Sequence, residues 1–308
     1  MKAPPCIETA ALTRRDFVRA SILAASGVAL GLKAAEPERL DPPRKIIAFS
    51  KAFQTMAPDD MAAFVQEIGW SGIECPVRPQ GQIEPERVGE ELPRLVEAFQ
   101  RKGLDIPIVV TEMASIHDPY AEDVLRVSAK LGIKKFRLGT FKYTKDRPLA
   151  QQLEGFGRDL REIGQACGEL DVVAAVENHS GVDRFGAPIW DVVDVLKDSQ
   201  VKNVGICFDI AHATIEGGLS WPIQARLAEP YYTAVYVKDF LWAKGPGGWE
   251  ARWCPLGEGM VDRSYFAGLK GSGYAGIICQ HHEYPMNGRA DMAAHMKRDL
   301  KVLRDWLA

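Results

Sequence analysis

The chain has 308 residues, of which 46% are hydrophobic and 26% are charged, and its formal net charge is −3 at pH 7. This charge balance lacks the basic surface that binding to a phosphate backbone requires, so no nucleic-acid partner is expected. The sequence contains no repeat array and no low-complexity tract, and its length suits one large domain.

The N-terminal segment is typical of an export signal. Arg14 and Arg15 are followed two residues later by Phe17, and an uncharged, Ala- and Gly-rich stretch covers residues 20–32. This order predicts a twin-arginine signal peptide over residues 1–35, and therefore a periplasmic or extracellular protein that is handled by the twin-arginine export machinery. A chance Arg-Arg pair before an ordinary helix is the alternative. Because a spanning helix needs roughly 20 apolar residues, no stable membrane anchor is expected.

The mature protein is predicted to be one domain over residues 36–308, of which residues 36–43 are a polar linker. Removal of the signal takes away five basic and two acidic residues, which lowers the net charge to −6. The remaining length is close to the ~250 residues of a single (β/α)₈ barrel.

Short apolar runs alternate with amphipathic stretches along this domain. Eight runs are typical of strands buried on both faces of a parallel sheet, over residues 45–49, 72–75, 105–110, 135–138, 172–177, 204–209, 234–238 and 276–281. Helical patterns lie between them, for example over residues 61–68, 92–102, 121–131, 149–168, 191–197 and 292–307. Eight such units without a Gly-rich dinucleotide loop predict an α/β fold, a single-domain (β/α)₈ TIM barrel.

The longest irregular stretch, residues 242–258, follows the seventh predicted strand. It is predicted to be a functional loop on the face where barrel active sites lie. Its tryptophans either stack on a sugar ring or only pin the loop to the barrel.

Acidic residues end the fifth and sixth predicted strands, where the mouth of a barrel gathers catalytic groups. Glu177 ends the fifth strand, and Asp209 ends the sixth with His212 one turn later. A buried carboxylate is costly unless a metal or a hydrogen-bond network compensates it. Two acids and a histidine suit one divalent ion such as Mn²⁺, Mg²⁺ or Zn²⁺. A rim salt bridge is the alternative for Glu177, and substrate binding is the alternative for His212.

The seventh and eighth strands add basic and histidine side chains to the same mouth. Lys238 can hold a sugar oxygen or stabilise an enolate, unless it only pairs with Asp239 or with another acid of the rim. Because side chains alternate along a strand, His281 and Glu283 project to one side, whereas His282 packs toward a helix. His281 is therefore the inward candidate.

Four further side chains lie near strand ends, and two of them, Glu74 and Arg137, are weaker candidates because a structural ion pair is the alternative for each. Glu74, His179 and Tyr236 are assigned to substrate binding, together with His212 and Glu283. Arg137, within the fourth strand, is a candidate for the site or for a structural ion pair.

The cysteines are not predicted to form a disulfide framework or a zinc site. Cys6 lies in the signal, and the other five are odd in number and scattered, with no zinc-ligand spacing. Cys207 and Cys279 lie in apolar runs and are expected to be buried.

Several segments, taken in order, resemble the xylose-isomerase-like barrels, a family of sugar phosphate isomerases and epimerases. The matching segments are GWSGIE from Gly69, VENHSG from Val176, CFDIAHA from Cys207, VKDF from Val237, PLGEG from Pro255 and GYAGIICQHHEY from Gly273. They cover nearly all of the mature chain. The resemblance implies one divalent metal held by Glu, Asp, His and Glu from strands five to eight.

Two of the four ligand positions that the resemblance implies carry a different residue. Glu177 and Asp209 match the first two positions, but Tyr236 stands where the family has histidine, and His281 stands where its ketose epimerases have glutamate. The resemblance therefore implies a metal held by Glu177, Asp209 and His281, or none. The two departures also argue against the family's exchange of protons between two carboxylates, although a histidine serves as a general base at neutral pH.

These groups predict an enzyme that removes a proton next to a sugar carbonyl and forms an enediolate. Glu177 or His281 is the expected base, with Lys238 as a third catalytic group. The product is an epimer or an isomer of a free sugar or keto-sugar, and phosphorylated sugars fit an exported protein less well.

Other functions remain open on the sequence alone. A lyase that acts on 3-keto-glycosides uses the same enolate, and a non-catalytic sugar-binding barrel fits the changed ligand positions. An apurinic endonuclease ranks low, because it needs three metals and many histidines and this chain has six. The substrate is in each favoured case a small carbohydrate, and an oligomer is compatible with the sequence.

Overall fold

The computed structural model describes residues 45–308, and the predicted signal peptide and the linker lie outside the described residues. Within that range ten strands are formed: Ile46–Phe49 (β1), Gly72–Pro76 (β2), Asp105–Val110 (β3), Lys135–Arg137 (β4), Val173–Glu177 (β5), Val204–Asp209 (β6), Tyr232–Val237 (β7), Asp239–Gly245 (β8), Gly248–Cys254 (β9) and Ile277–Gln280 (β10). Eight of them are parallel and close into a barrel in the order β1-β10-β7-β6-β5-β4-β3-β2. The predicted (β/α)₈ fold is confirmed.

Helices surround the barrel and follow its strands. They are Pro58–Ile68 (α1), Val88–Gln100 (α2), Ala121–Lys130 (α3), Leu149–Glu169 (α4), Trp190–Asp198 (α5), Ile210–Gly217 (α6), Trp221–Ala228 (α7), Ser264–Gly271 (α8) and Gly288–Leu307 (α9). The first of them shows the local signals clearly. Pro58 opens α1, Asp59 and Asp60 lie in its first turn, and Gly69 ends it with a φ of 97° that favours glycine.

Alternation along the strands sorts side chains into two separate apolar clusters. Outward residues pack between the sheet and the helices, as Ile73, Phe136 and Phe208 do. Inward residues fill the barrel, as Ile47 and Ile108 do. The same alternation points the following polar side chains inward at the C-terminal half of the barrel: Glu74, Arg137, Glu177, Asp209, Lys238 and His281.

The predicted irregular loop over residues 242–258 was wrong for most of its length. β8 and β9 form an antiparallel hairpin in which Asp239 pairs with Cys254 and Gly245 pairs with Gly248. The two strands are joined by a two-residue turn, Pro246 and Gly247, and the flanking Gly245 and Gly248 form the last strand pair. The stretch is therefore mostly ordered by backbone pairing.

One carboxylate fastens the base of this hairpin to the chain that follows it. Asp239 accepts backbone hydrogen bonds from Gly257, Gly259 and Val261, each at 3.0 Å. The tip is more open, and Trp249 is 67% exposed there. Among residues 45–308, no helix is long and apolar enough to cross a membrane.

Candidate active site

A cavity of about 360 Å³ opens at the C-terminal ends of the barrel strands. Five of the residues predicted for the site line it, namely Glu177, His179, Lys238, His281 and Glu283. The strand ends bring them together because the parallel strands all finish at this rim. Glu74, Asp209 and Tyr236 are fully buried beneath the cavity.

Glu177 is held by a guanidinium on the neighbouring strand. Arg137 Nη1 donates a 2.6 Å hydrogen bond to Glu177 Oε2, and both side chains are about nine-tenths buried. Burial alone raises the pKa of Glu177, but the positive charges of Arg137 and Lys238 outweigh it and lower that pKa to about 2. Glu177 is therefore a carboxylate at neutral pH. Its second oxygen, Oε1, is buried without a hydrogen-bond partner among the described residues.

Asp209 is fixed at the start of α6 by the local backbone. Its Oδ1 accepts hydrogen bonds from the backbone N–H of Ala211 at 2.8 Å and of His212 at 3.0 Å. Asn178, which follows β5, bonds both the N–H and the C=O of Asp209. Burial raises the pKa of Asp209, and Lys238 offsets this only in part. Its Oδ2 makes no hydrogen bond within residues 45–308, although Lys238 Nζ lies 3.3 Å away.

His212 faces the same two carboxylates. Its Nδ1 lies 2.8 Å from Ser180 Oγ, and its ring lies 3.8 Å from the ring of His179, centroid to centroid. Burial and nearby cations lower the pKa of His212 well below its ordinary value, so the imidazole is neutral at neutral pH. Its Nε2 is buried and, in the part of the chain that the structure describes, has no hydrogen-bond partner.

These side chains fit one divalent ion. Glu177, Asp209 and His212 each offer a ligand atom within 4.8 Å of the others. Two carboxylates and a neutral imidazole are ligands that Mn²⁺ and Zn²⁺ accept. One unpartnered atom on each of them is the further sign, since buried polar atoms are rarely left without a partner. The set that the family resemblance implied had His281 in place of His212, and the structure places His281 in a different cluster.

That second cluster surrounds Glu74, which is fully buried. His281 Nε2 lies 3.1 Å from Glu74 Oε2, and Tyr236 donates its phenolic hydrogen to Oε1 of the same carboxylate. Arg137 Nε approaches Oε1 to 3.9 Å. Burial opposes ionisation, but Arg137 and His281 outweigh it and lower the pKa of Glu74. Glu74 was a weaker candidate from sequence. In the structure its carboxylate bonds and orients Tyr236 and His281, the two residues that depart from the family's ligand pattern.

Lys238 is a buried cation between the two clusters and the rim. Its Nζ lies 3.3 Å from Asp209 Oδ2 and 3.1 Å from Glu283 Oε2. It also lies 4.5 Å from the centroid of the Trp253 ring, which is a cation–π distance. Burial lowers the pKa of Lys238, but the three nearby carboxylates, with Asp209 foremost, raise it overall. Lys238 is therefore an ammonium, as its predicted role requires. It pairs with Glu283 and Asp209, as the alternative of a rim ion pair allowed, and not with Asp239, which accepts backbone hydrogen bonds instead.

Of two further histidines, His282 has the orientation that the alternation of side chains predicts, and the orientation of His179 was left open. His282 points away from the cavity, with Nε2 3.7 Å from Asp299 of α9. His179 lines the cavity, and its Nδ1 lies 2.9 Å from the carbonyl oxygen of Ser180. Because a carbonyl only accepts, Nδ1 carries the proton of the neutral ring and Nε2 keeps the lone pair.

Some residues of the cavity were missed by the sequence reasoning. Asn178 and Ser180 position Asp209 and His212, and Arg184 and Lys142 line the rim. Asn178 lies between two residues that were singled out, so its place after a buried strand was an available signal. Arg184 and Lys142 lie on loops, where no periodicity marks a side chain as facing the site.

Comparisons with known proteins agree with the barrel fold. The model of a family described as xylose isomerase-like TIM barrel matches residues 62–306. A curated relative, the uncharacterized protein YihM of Escherichia coli K12, is 23% identical over 171 residues, which are 55% of this chain and 48% of YihM. The match thus spans about half the length of that relative.

Solved structures share the fold at low sequence identity. The 3-keto-D-glucoside 4-epimerase YcjR of E. coli is 18% identical with a TM-score of 0.66, over 85% of this chain and 100% of YcjR. A D-psicose 3-epimerase, solved in the presence of D-fructose, is 16% identical with a TM-score of 0.64, over 86% and 99%. A xylose isomerase-like barrel of Mycobacterium smegmatis in complex with magnesium is 16% identical with a TM-score of 0.60, over 86% and 98%.

Proposed function

Since the chain belongs to the xylose isomerase-like TIM barrel family, we propose that it is a sugar isomerase or epimerase that removes a proton next to a carbonyl. One observation carries the proposal. The ionised Glu177 keeps an unpartnered oxygen in a cavity whose wall also presents the Lys238 ammonium. A carboxylate can take a proton from carbon, and an ammonium nearby stabilises the oxygen charge that develops.

A second base is available in His281. Its Nε2 is hydrogen-bonded to Glu74, which is an acceptor when ionised, so the ring proton lies on Nε2. Nδ1 is then the nitrogen that can accept a proton, and the carboxylate behind the ring stabilises the imidazolium that forms, as in other carboxylate–histidine pairs. We assign Glu177 and His281 as the two proton-transfer groups. Proton return to the opposite face of the same carbon gives an epimer, and return to the neighbouring carbon gives an isomer.

The remaining predicted residues bind and orient the sugar in this proposal. His179 offers its Nε2, and Glu283, held by Lys238 and Lys51, offers carboxylate oxygens to hydroxyl groups. Tyr236 acts indirectly, because its hydroxyl is engaged with Glu74. A divalent metal held by Glu177, Asp209 and His212 would supply a Lewis acid for the substrate carbonyl when bound.

The substrate is a free sugar or keto-sugar in this proposal. The twin-arginine signal that residues 1–35 predict would place the enzyme outside the cytoplasm, where phosphorylated sugars are scarce. A lyase on 3-keto-glycosides is the second candidate, because the enolate can expel an alkoxide from the carbon beyond. A separate apolar cavity next to the site, of about 450 Å³, favours a substrate with an apolar leaving group.

Proton exchange tests the proposal directly. The enzyme is incubated in deuterated water with a panel of free sugars, sugar phosphates and 3-keto-glycosides, and proton NMR follows loss of the hydrogen next to the carbonyl. We expect exchange with at least one free or keto-sugar. Glu177→Gln and His281→Ala should each slow it by about 10²–10⁴-fold, the usual contribution of a positioned acid or base.

The control is Glu97→Gln, an exposed carboxylate on α2 that pairs with Arg101, and it should exchange at the wild-type rate. Exchange at the wild-type rate in Glu177→Gln or His281→Ala contradicts the mechanism. If the wild-type protein binds sugars without any exchange, and Glu177→Gln binds them with the same affinity, the protein is a sugar-binding barrel. Exchange with sugar phosphates alone contradicts the free-sugar substrate.

A further inference from the structure

A second cavity adjoins the candidate active site and differs from it in character. Its volume is about 450 Å³, and most of its lining is apolar, with Val77, Met113, Ala114, Tyr120 and Val124 among the wall residues. It lies beyond the C-terminal ends of β2 and β3, on the same face of the barrel as the active-site cavity. The barrel mouth therefore has a polar chamber with an apolar neighbour.

The two cavities share part of their walls. Thr111 and Glu112, directly after β3, line both. Glu112 also forms an ion pair with Arg78, which lines the polar cavity, with 3.1 Å between Arg78 Nη1 and Glu112 Oε1. A molecule that crosses this boundary meets carboxylate and guanidinium groups at the junction and apolar side chains beyond it. A sugar joined to an apolar group has this order of polarity.

The wall of the apolar cavity is a defined loop. Asp118 Oδ2 accepts hydrogen bonds from the backbone N–H of Ala114 at 2.7 Å and of Ser115 at 2.9 Å. Tyr120 follows with a φ of 63°, a left-handed conformation that a bulky side chain rarely adopts, and its side chain is 48% exposed on the cavity. The exposed ring is available to pack against an apolar group in the cavity.

We propose that this cavity binds the apolar aglycone of a glycoside whose sugar ring lies in the active-site cavity. The proposal rests on the proposed function, since it takes the polar cavity as the sugar site, and it specifies the keto-sugar as a keto-glycoside because a free sugar carries no aglycone. Size agrees with it: an apolar cavity of about 150 Å³ suffices for benzene, so a volume of about 450 Å³ accepts one or two aromatic rings. The apolar lining makes an aromatic or terpenoid-like aglycone a better occupant than a second sugar.

Direct binding tests the subsite without requiring turnover. Calorimetry compares phenyl and methyl glucosides of both anomers, and their 3-keto forms, on the full chain. Burial of the phenyl ring should make the better phenyl ligand bind about 10- to 30-fold more tightly than its methyl counterpart. Tyr120→Asn, which removes the ring where asparagine tolerates the backbone, should bring the ratio close to one. Ala114→Trp, which fills the cavity, should do the same.

The matched control is Trp190→Asn, because Trp190 is an aromatic residue of equal exposure, 49%, at the start of α5 and outside both cavities. It should leave the phenyl-to-methyl ratio unchanged. Equal affinity of wild type for the two glucosides, or no binding of either, overturns the subsite. A ratio that survives in both cavity variants overturns it as well.

Two further outcomes distinguish the aglycone subsite from the isomerase function and from a contact between copies of the chain. If phenyl glucosides bind as expected but no substrate exchanges deuterium, the subsite stands and the isomerase function fails. If Tyr120→Asn changes the sedimentation coefficient and the phenyl-to-methyl ratio is one, the cavity is a contact between two copies of the chain, and the aglycone proposal is wrong.

Discussion

Two buried polar clusters lie side by side in the mouth of this barrel, and they differ in how far their atoms are satisfied. Around Glu74, the carboxylate oxygens are engaged by Tyr236 and His281, with Arg137 close by. Around Asp209 and His212, three buried atoms have no hydrogen-bond partner within residues 45–308. The first cluster is complete in the protein alone, whereas the second leaves room for a ligand.

The pKa values of the two buried carboxylates differ between the clusters as well. The pKa of Glu74 is lowered because cations and hydrogen-bond donors outweigh burial, whereas burial dominates at Asp209 and raises its pKa. A carboxylate with a lowered pKa stabilises the fold at neutral pH, and one with a raised pKa weakens it. We infer that Glu74 serves structure and positioning, and that Asp209 is kept at a cost in stability for binding.

Loss of the Glu74 charge should have the largest effect on stability. Glu74→Gln removes one partner of a buried ion pair, so the free energy of unfolding should fall by about 3–5 kcal/mol at pH 7 in urea titrations. Glu97→Gln breaks only an exposed pair with Arg101 and should change it by less than about 1 kcal/mol. Equal losses in the two variants would remove the distinction between the clusters.

The pH dependence of the same variant sharpens this point. Because the folded-state pKa of Glu74 is lowered from 4.5, the unfolded chain takes up the proton first as the pH falls. The stabilisation is complete above about pH 4.5 and is lost at lower pH. The free energy of unfolding of Glu74→Gln should therefore fall less steeply than that of wild type below this pH.

Metal binding should distinguish the cluster that the structure brings together from the one predicted from sequence. At about 100 times its Kd, Mn²⁺ or Zn²⁺ should raise the Tm by about 5–10 °C relative to protein in chelator. His212→Phe should abolish the rise in Tm because it removes a ligand, and His281→Phe should retain it. The two variants are matched, since each keeps a ring of similar size. The reverse pattern would support the predicted ligand set of Glu177, Asp209 and His281.

Asp209→Asn should have the smallest effect on stability in the absence of metal. The asparagine oxygen can still accept the backbone hydrogen bonds of Ala211 and His212. The charge that burial disfavours is gone, and Lys238, which loses its ion pair with Asp209, keeps Glu283 as a partner at 3.1 Å. The free energy of unfolding in chelator at pH 7 should change by less than about 1 kcal/mol, while the metal-dependent rise in Tm disappears. A loss as large as that of Glu74→Gln would show that Asp209 also serves the fold.

Much of the barrel and part of the site could be predicted because both follow from local pattern. Short apolar runs ended by polar residues located the strands and placed Glu177, Asp209, Lys238 and His281 at one rim. Strand boundaries shifted by a residue or two, three helices begin three or four residues earlier than predicted, and the helices over residues 210–217, 221–228 and 264–271 were not named.

The partners of these side chains could not be predicted, because they lie far apart in the chain. Glu74 and His281 are separated by 207 residues, and only the closed barrel brings β2 next to the loop after β10. Arg137 had several acids within reach of its strand, and the sequence does not state which one it holds. The β8–β9 hairpin was hidden because its Gly- and Pro-rich turn was read as a property of the whole stretch.

The attachment of that hairpin bears on how this barrel can diversify. Asp239 fastens its base through three backbone N–H groups, whereas its tip is exposed. Residues around Pro246 and Gly247 can therefore be lengthened or exchanged without disturbing the strands that carry the chemistry. A change of length at this tip would therefore leave the mouth of the barrel intact.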